Sequence, residues 1–218
     1  MAVRQVFLVF AAALAGLALV STVRADEVTF SLSQNTCSGI CTPSPFGSVV
    51  VTSDGTNTVL VTETLTGATQ FANTGAGYAL AFSVIGNPTL TIGSLTSGFS
   101  VGNAASGQTE SKDGAGSYEY WITCSGCGPG TSAPIFTGPL SFTASASGLT
   151  PESFEVLNGN GYYLGSDVLA GVTGNVEANG YDLCRTPDPT PEPASILLFG
   201  IGLLGIGFLM RQQLRLFA

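Results

Sequence analysis

Ser48-Val49-Val50-Val51-Thr52-Ser53-Asp54-Gly55-Thr56-Asn57-Thr58-Val59-Leu60-Val61-Thr62-Glu63-Thr64-Leu65 holds two β-branched runs, 48–53 and 56–65, joined at Asp54-Gly55. β-branched side chains suit a pleated, half-buried surface, and Asp-Gly favours a tight turn, so the stretch predicts a β-hairpin. The same period of two recurs outward from it. Leu80, Phe82 and Val84 alternate with Ala79, Ala81 and Ser83; Tyr118, Tyr120 and Ile122 alternate with Glu119, Trp121 and Thr123. Leu140, Phe142 and Ala144 alternate with Ser141, Thr143 and Ser145. Such alternation places one set on a core face and the other toward solvent or a second layer. No sustained helical stripe appears between the termini, and the best helix candidate, 167–172, is too short to matter. The reading is an all-β protein: a single β-sandwich or jelly-roll-like domain over 26–185, with 102–116 as a long glycine-rich loop.

The two ends differ in texture from this domain. Arg4 precedes an apolar run from Val6 to Val20, and Val23-Arg24-Ala25 offers a small-residue cleavage site. Residues 1–25 therefore read as a signal peptide cut after Ala25. After Cys184 comes a proline-rich spacer, 186–193, whose prolines keep it out of ladders and helices. Residues 194–210 are apolar apart from Ser195. At about 1.5 Å per residue they reach roughly 25 Å, enough for a transmembrane helix. The basic tail 211–218 is expected to stay cytoplasmic by the positive-inside rule, which leaves the domain outside.

Charge narrows the partners. The chain has 14 acidic and 6 basic residues, a net charge of −8 and no histidine. Between the termini only Lys112 and Arg185 are basic, so nucleic acid is repelled and is not an expected partner. Without histidine, the commonest general base and metal ligand are missing, and Ser-His-Asp or Cys-His catalysis is excluded. The expectation is therefore no enzyme and no catalytic residue. The alternative is a carboxylate-based hydrolase using a pair such as Glu152 and Glu155.

Cys37, Cys41, Cys124 and Cys127 are the disulfide candidates of an exported protein, paired most simply as neighbours, with cross-pairing between the two motifs left open. Cys184 is the odd one, free or joined to a second molecule. No cofactor is expected. The alternatives are a structural zinc on the four thiolates and calcium held by loop carboxylates near 107–116. Gly200-x-Gly202-x-x-Gly205 fits a dinucleotide pattern, but it lies inside the apolar segment with no preceding strand and no acidic residue downstream. Trp121, Tyr118, Tyr120, Tyr162 and Tyr163 are candidates for stacking on sugar rings, weighed against ordinary packing within a sheet.

Pro191-Glu192-Pro193, the apolar segment and then Arg211 and Arg215, in that order at the C-terminus, resemble the PEP-CTERM sorting signal. The arginine cluster is reduced here to Arg211-Gln212-Gln213-Leu214-Arg215. The resemblance implies a bacterial envelope protein, membrane-anchored before processing by an exosortase, a membrane-embedded cysteine transpeptidase-like enzyme. It would then stand at the cell surface or outside the cell, in association with exopolysaccharide and biofilm. Residues 37–41, 45–47, 73–77 and 124–128 also resemble a group of such exported proteins, a likeness that supplies no catalytic residue. The expected role is structural or interactive, with a carbohydrate-binding module as the alternative.

Overall fold

The computed structural model describes residues 27–37, 41, 44–73, 77–112, 114–127, 136, 138–180 and 183–185, the last three by backbone alone. The expected signal peptide, the sorting residues Pro191, Glu192, Pro193, Arg211 and Arg215, and the expected helix 194–210 lie outside them. The described residues fall within one compact unit, Ala25–Thr186. They are all-β apart from a short 3-10 helix at Pro151–Phe154, and among them no helix is long and apolar enough to cross a membrane. In chain order the strands are β1 Glu27–Leu32, β2 Gln34–Asn35, β3 Gly47–Ser53, β4 Thr58–Leu65 and β5 Gln70–Phe71. They continue with β6 Leu80–Phe82, β7 Thr91–Gly93, β8 Ser100–Asn103, β9 Glu110–Lys112 and β10 Gly116–Tyr118. The last five are β11 Tyr120–Thr123, β12 Leu140–Ser145, β13 Tyr162–Ala170, β14 Val172–Asn179 and β15 Leu183–Arg185.

The hairpin that opens the sequence argument is β3–β4, in unbroken register from Gly47↔Leu65 to Ser53↔Val59. Its loop is longer than Asp-Gly alone. The Asp54 amide donates to the Thr58 carbonyl at 2.9 Å, and both Gly55 (φ 109°) and Asn57 (φ 61°) take the left-handed conformations that the turn needs. Around it the order β15-β1-β3-β4-β12-β7 makes a six-stranded sheet. A seven-stranded sheet runs β2-β14-β13-β6-β11-β8, with β5 beside β13, and β9–β10 form a separate hairpin.

The inner faces of the two large sheets share one apolar cluster. Val28, Phe30, Val49, Val61 and Phe142 come from the first, and Leu80, Phe82, Ile122, Leu164 and Val176 from the second. Phe82 and Phe142 stack between the layers at 6.0 Å, and Phe154 of the 3-10 helix closes on Phe82 at 5.2 Å. Burial of these apolar surfaces is the driving force that sets one face of every long strand inward.

Two local expectations are corrected, while the dismissed helix candidate is strand, with residues 167–170 continuing β13 and Val172 starting β14. Residues 102–116 are not one loop, because β8 ends there and β9 and the start of β10 lie within it. The alternation through 118–123 breaks at Glu119. Tyr120 and Ile122 enter the main core, while Tyr118 joins a second cluster with Tyr78, Ala81 and Ala115.

Candidate functional site

The four candidate cysteines pair as near neighbours, Cys37–Cys41 and Cys124–Cys127, with Cα separations of 6.1 and 5.3 Å. Zinc would need the same sulfurs as thiolates, so the two arrangements exclude each other. Cys37 lies flat against β14, where a Cβ on Gly174 would come within 2.4 Å of the Cys37 Cα. Cys124 and Cys127 close the turn after β11, where the Gly126 amide donates to the Gly98 carbonyl at 2.8 Å. Cys184 falls in β15 opposite Thr29. So short a loop restricts the unfolded chain little. A Cys124→Ala/Cys127→Ala variant is expected to lose about 2 kcal/mol in urea unfolding, and reductant to lower the parent further than the variant. Equal reductant shifts in the two proteins would contradict the assignment.

Buried polar groups gather on the outer face of the seven-stranded sheet. One row of paired residues crosses four strands: Glu177 of β14, Gly165 of β13, Ala81 of β6 and Trp121 of β11. Its two middle positions carry a hydrogen and a methyl group, so the row is a trough floored by backbone. Tyr78, Ala115 and Tyr118 roof it. A Cβ on Gly165 would lie 3.3 Å from both tyrosine hydroxyls and 3.6 Å from the Ala115 methyl. At the Trp121 end the indole packs flat on β8, since a Cβ on Gly102 would come within 2.1 Å of its ring. Lys112 of β9 covers the other side, its ammonium 3.9 Å from the Trp121 ring centre and 5.5 Å from that of Tyr78. The Glu110 carboxylate pairs with Lys112 at 3.0 Å. The β9–β10 hairpin thus acts as a cover held by a desolvated cation–π contact.

Beneath that cover Tyr78, Tyr118 and Glu177 are fully buried. Thr36 donates its hydroxyl to Glu177 Oε1 at 2.7 Å, whereas Glu177 Oε2 and the Tyr78 and Tyr118 hydroxyls have no hydrogen-bond partner. Asn158 lies near the Tyr118 hydroxyl, but its amide donates to the Ala115 carbonyl at 2.7 Å and its oxygen accepts from the Asn160 and Tyr162 amides. Burial pushes the Glu177 carboxyl up to about 7, opposed by the Thr36 hydroxyl. Burial likewise raises both phenols, with Tyr118 and Glu177 adding to Tyr78, and Glu177 and Tyr162 adding to Tyr118, where the Asn158 side chain opposes the rise. Both therefore stay neutral at physiological pH. Chemically the trough offers two neutral phenol oxygens and one carboxylate oxygen in a dry setting, suited to holding a small polar or cationic species.

A second buried acid faces the opposite way. Glu63 continues the inward-facing set Val59 and Val61 of β4, and burial raises its carboxyl well above the ordinary range, with Ser166 opposing. Neither Glu63 oxygen nor the Ser166 hydroxyl makes a well-formed hydrogen bond.

Sequence reasoning did not find Tyr78, Gly165 or Glu177 as a group, because strand pairing across the sheet unites positions far apart in the chain. Glu177 did carry a signal, standing between Val176 and Ala178 in a strand buried on both faces. Glu152 and Glu155 meet only along one turn, through the Glu155 amide and Glu152 carbonyl at 3.1 Å. Tyr118 and Tyr120 are fully buried, and Trp121 is covered by Lys112, so these three form no exposed sugar platform. Gly200, Gly202 and Gly205 lie outside the described residues.

Comparison with known proteins adds one identification: residues 189–212 match the model of the PEP-CTERM protein-sorting motif. No curated protein and no solved structure matches the chain.

Proposed function

From the premise that this chain carries a PEP-CTERM protein-sorting motif, and is therefore an exported protein sorted by an exosortase and anchored at the envelope before processing, we propose that its β domain is a non-enzymatic interaction module of the cell surface or extracellular matrix that engages exopolysaccharide. The observation that carries this reading is the outer face of the six-stranded sheet. Thr62 and Ser141 meet there at 3.3 Å, and Thr58 and Ser145 at 3.0 Å, with Thr52 and Thr143 on the same side of their strands. Val50 and Leu60 share this side, so the face offers uncharged hydroxyls beside apolar groups, a combination that suits a polysaccharide without desolvating a charge. The acidic balance of the chain selects further. Polyanionic chains are repelled, so neutral or amino-bearing polysaccharides are the fitting class.

Carbohydrate recognition in this reading works through hydroxyls rather than an aromatic platform, consistent with the burial of Tyr118 and Tyr120. The test is co-sedimentation of the mature protein with exopolysaccharide purified from its own host. A Thr62→Ala/Ser141→Ala/Thr143→Ala variant is expected to bind at least about ten-fold more weakly, a loss of roughly 1.4 kcal/mol. A parent that does not bind, or a variant that binds equally well, would overturn the reading.

A further inference from the structure

We propose that the trough over Gly165 is a binding site for one hard, oxygen-coordinated cation, ligated by the Tyr78 and Tyr118 hydroxyls and by Glu177 Oε2. The proposal stands apart from the polysaccharide reading, because it concerns the other sheet and a buried site.

Three independent observations converge. First, the three oxygens are fully buried and each lacks a hydrogen-bond partner. A native fold tolerates few such groups. Second, the two phenol oxygens meet where the sheet offers no side chain, and Glu177 is the strand partner of that position. Both hydroxyls lie 3.3 Å from the position that a Cβ on Gly165 would take, so that residue's missing methyl leaves the approach open. Third, carboxylates act on the site: Glu177 and the buried Asp167 both act electrostatically on Tyr78. The Lys112 ammonium lies 5.5 Å from the Tyr78 ring centre, but it is held by Glu110 and by the Trp121 ring. A buried carboxylate needs a positive partner or a proton, and a bound cation supplies the former while satisfying both phenol oxygens.

The donor set decides the class. Carboxylate and phenol oxygens with neither nitrogen nor sulfur suit calcium or sodium rather than zinc or copper. The Gly107–Gly116 segment, singled out in the sequence for calcium, contributes through its strands instead: β9 brings Lys112, and the turn into β10 brings Ala115.

The test uses the mature protein isolated from its host, dialysed against chelator. Terbium, a calcium surrogate, should give sensitised emission on binding beside two tyrosines. Calcium or sodium should raise the melting temperature of the chelated protein, and the two salts applied separately identify the ion. A Tyr78→Phe/Tyr118→Phe variant removes only the two partnerless hydroxyls and keeps the rings. It should fold like the parent in chelator, yet bind terbium at least about ten-fold more weakly. Gly165→Ala, which places a methyl group in the approach, should behave alike. Absence of emission together with unchanged melting in both salts would mean that the three oxygens share ordered water alone, overturning the proposal. So would emission that persists undiminished in the double variant, since that terbium would be sitting on surface carboxylates.

Discussion

A Glu63→Gln variant is expected to resist urea better than the parent at pH 8, and the stability of the parent to fall more steeply with pH than that of the variant, by up to about 1.4 kcal/mol per pH unit. The sign follows from the buried position of Glu63 between the sheets, which raises its folded-state pKa above the unfolded value. Below the unfolded pKa, near 4.5, both states hold the proton and the stability contribution is complete. As pH rises, the unfolded chain releases the proton while the folded chain keeps it, so stability falls until the folded carboxyl itself ionises. Glu177 behaves alike, but only up to about 7. The parent should therefore lose stability from about pH 4.5 upward, with the share of Glu177 complete once the pH passes about 7. Glutamine keeps the shape of Glu63 and brings an amide beside Ser166. Urea midpoints from pH 5 to 9 in chelator, for the parent and for Glu63→Gln, Glu177→Gln and the double variant, decide the matter. A slope that survives both substitutions would place its origin elsewhere.

The second large effect lies in the tail. Replacing Pro191, Glu192 and Pro193 with alanine is expected to change exported protein that has lost the residues beyond the tripeptide into protein that keeps all of them. Recognition of a short motif fails when its restricted backbone and its charge go together: proline fixes φ, and Glu192 is the acidic group of the tripeptide. Arg211→Ala/Arg215→Ala should also impair processing, since positive charge beyond an apolar segment is what orients such a segment in a membrane. Intact mass of protein from the native host reads both results. A parent in which every molecule retains residues 194–218 would refute processing at this motif.

What was legible in the sequence was local. The β3–β4 hairpin, the buried set Leu140, Phe142 and Ala144, and the near-neighbour cysteine pairs each depend on residues a few positions apart. The parity of 118–123 was not, because one residue, Glu119, leaves the ladder and turns Tyr118 toward the other side of the sheet. The strand neighbours were hidden as well. Beside β13 stand β14, which follows it directly, and β6, which comes some 80 positions earlier in the chain. Spacing cannot foresee that Gly165 and Ala81 will lie side by side, yet that pairing makes the trough. Glu63 reads as one more polar residue on an alternating strand until the second sheet closes over it.

The burial of Lys112 bears on how long the domain survives outside the cell. Trypsin-like proteases cut after lysine or arginine, and between residues 26 and 210 the chain offers them only Lys112 and Arg185. Lys112 is 2% exposed beneath the β9–β10 cover, so cleavage there must wait for that cover to open. Arg185 ends the short edge strand β15, next to the spacer. Digestion at Lys112 is thereby tied to a local opening event, so the lifetime of the domain in a proteolytic medium is set by the stability of the β9–β10 cover rather than by the presence of a lysine in the sequence.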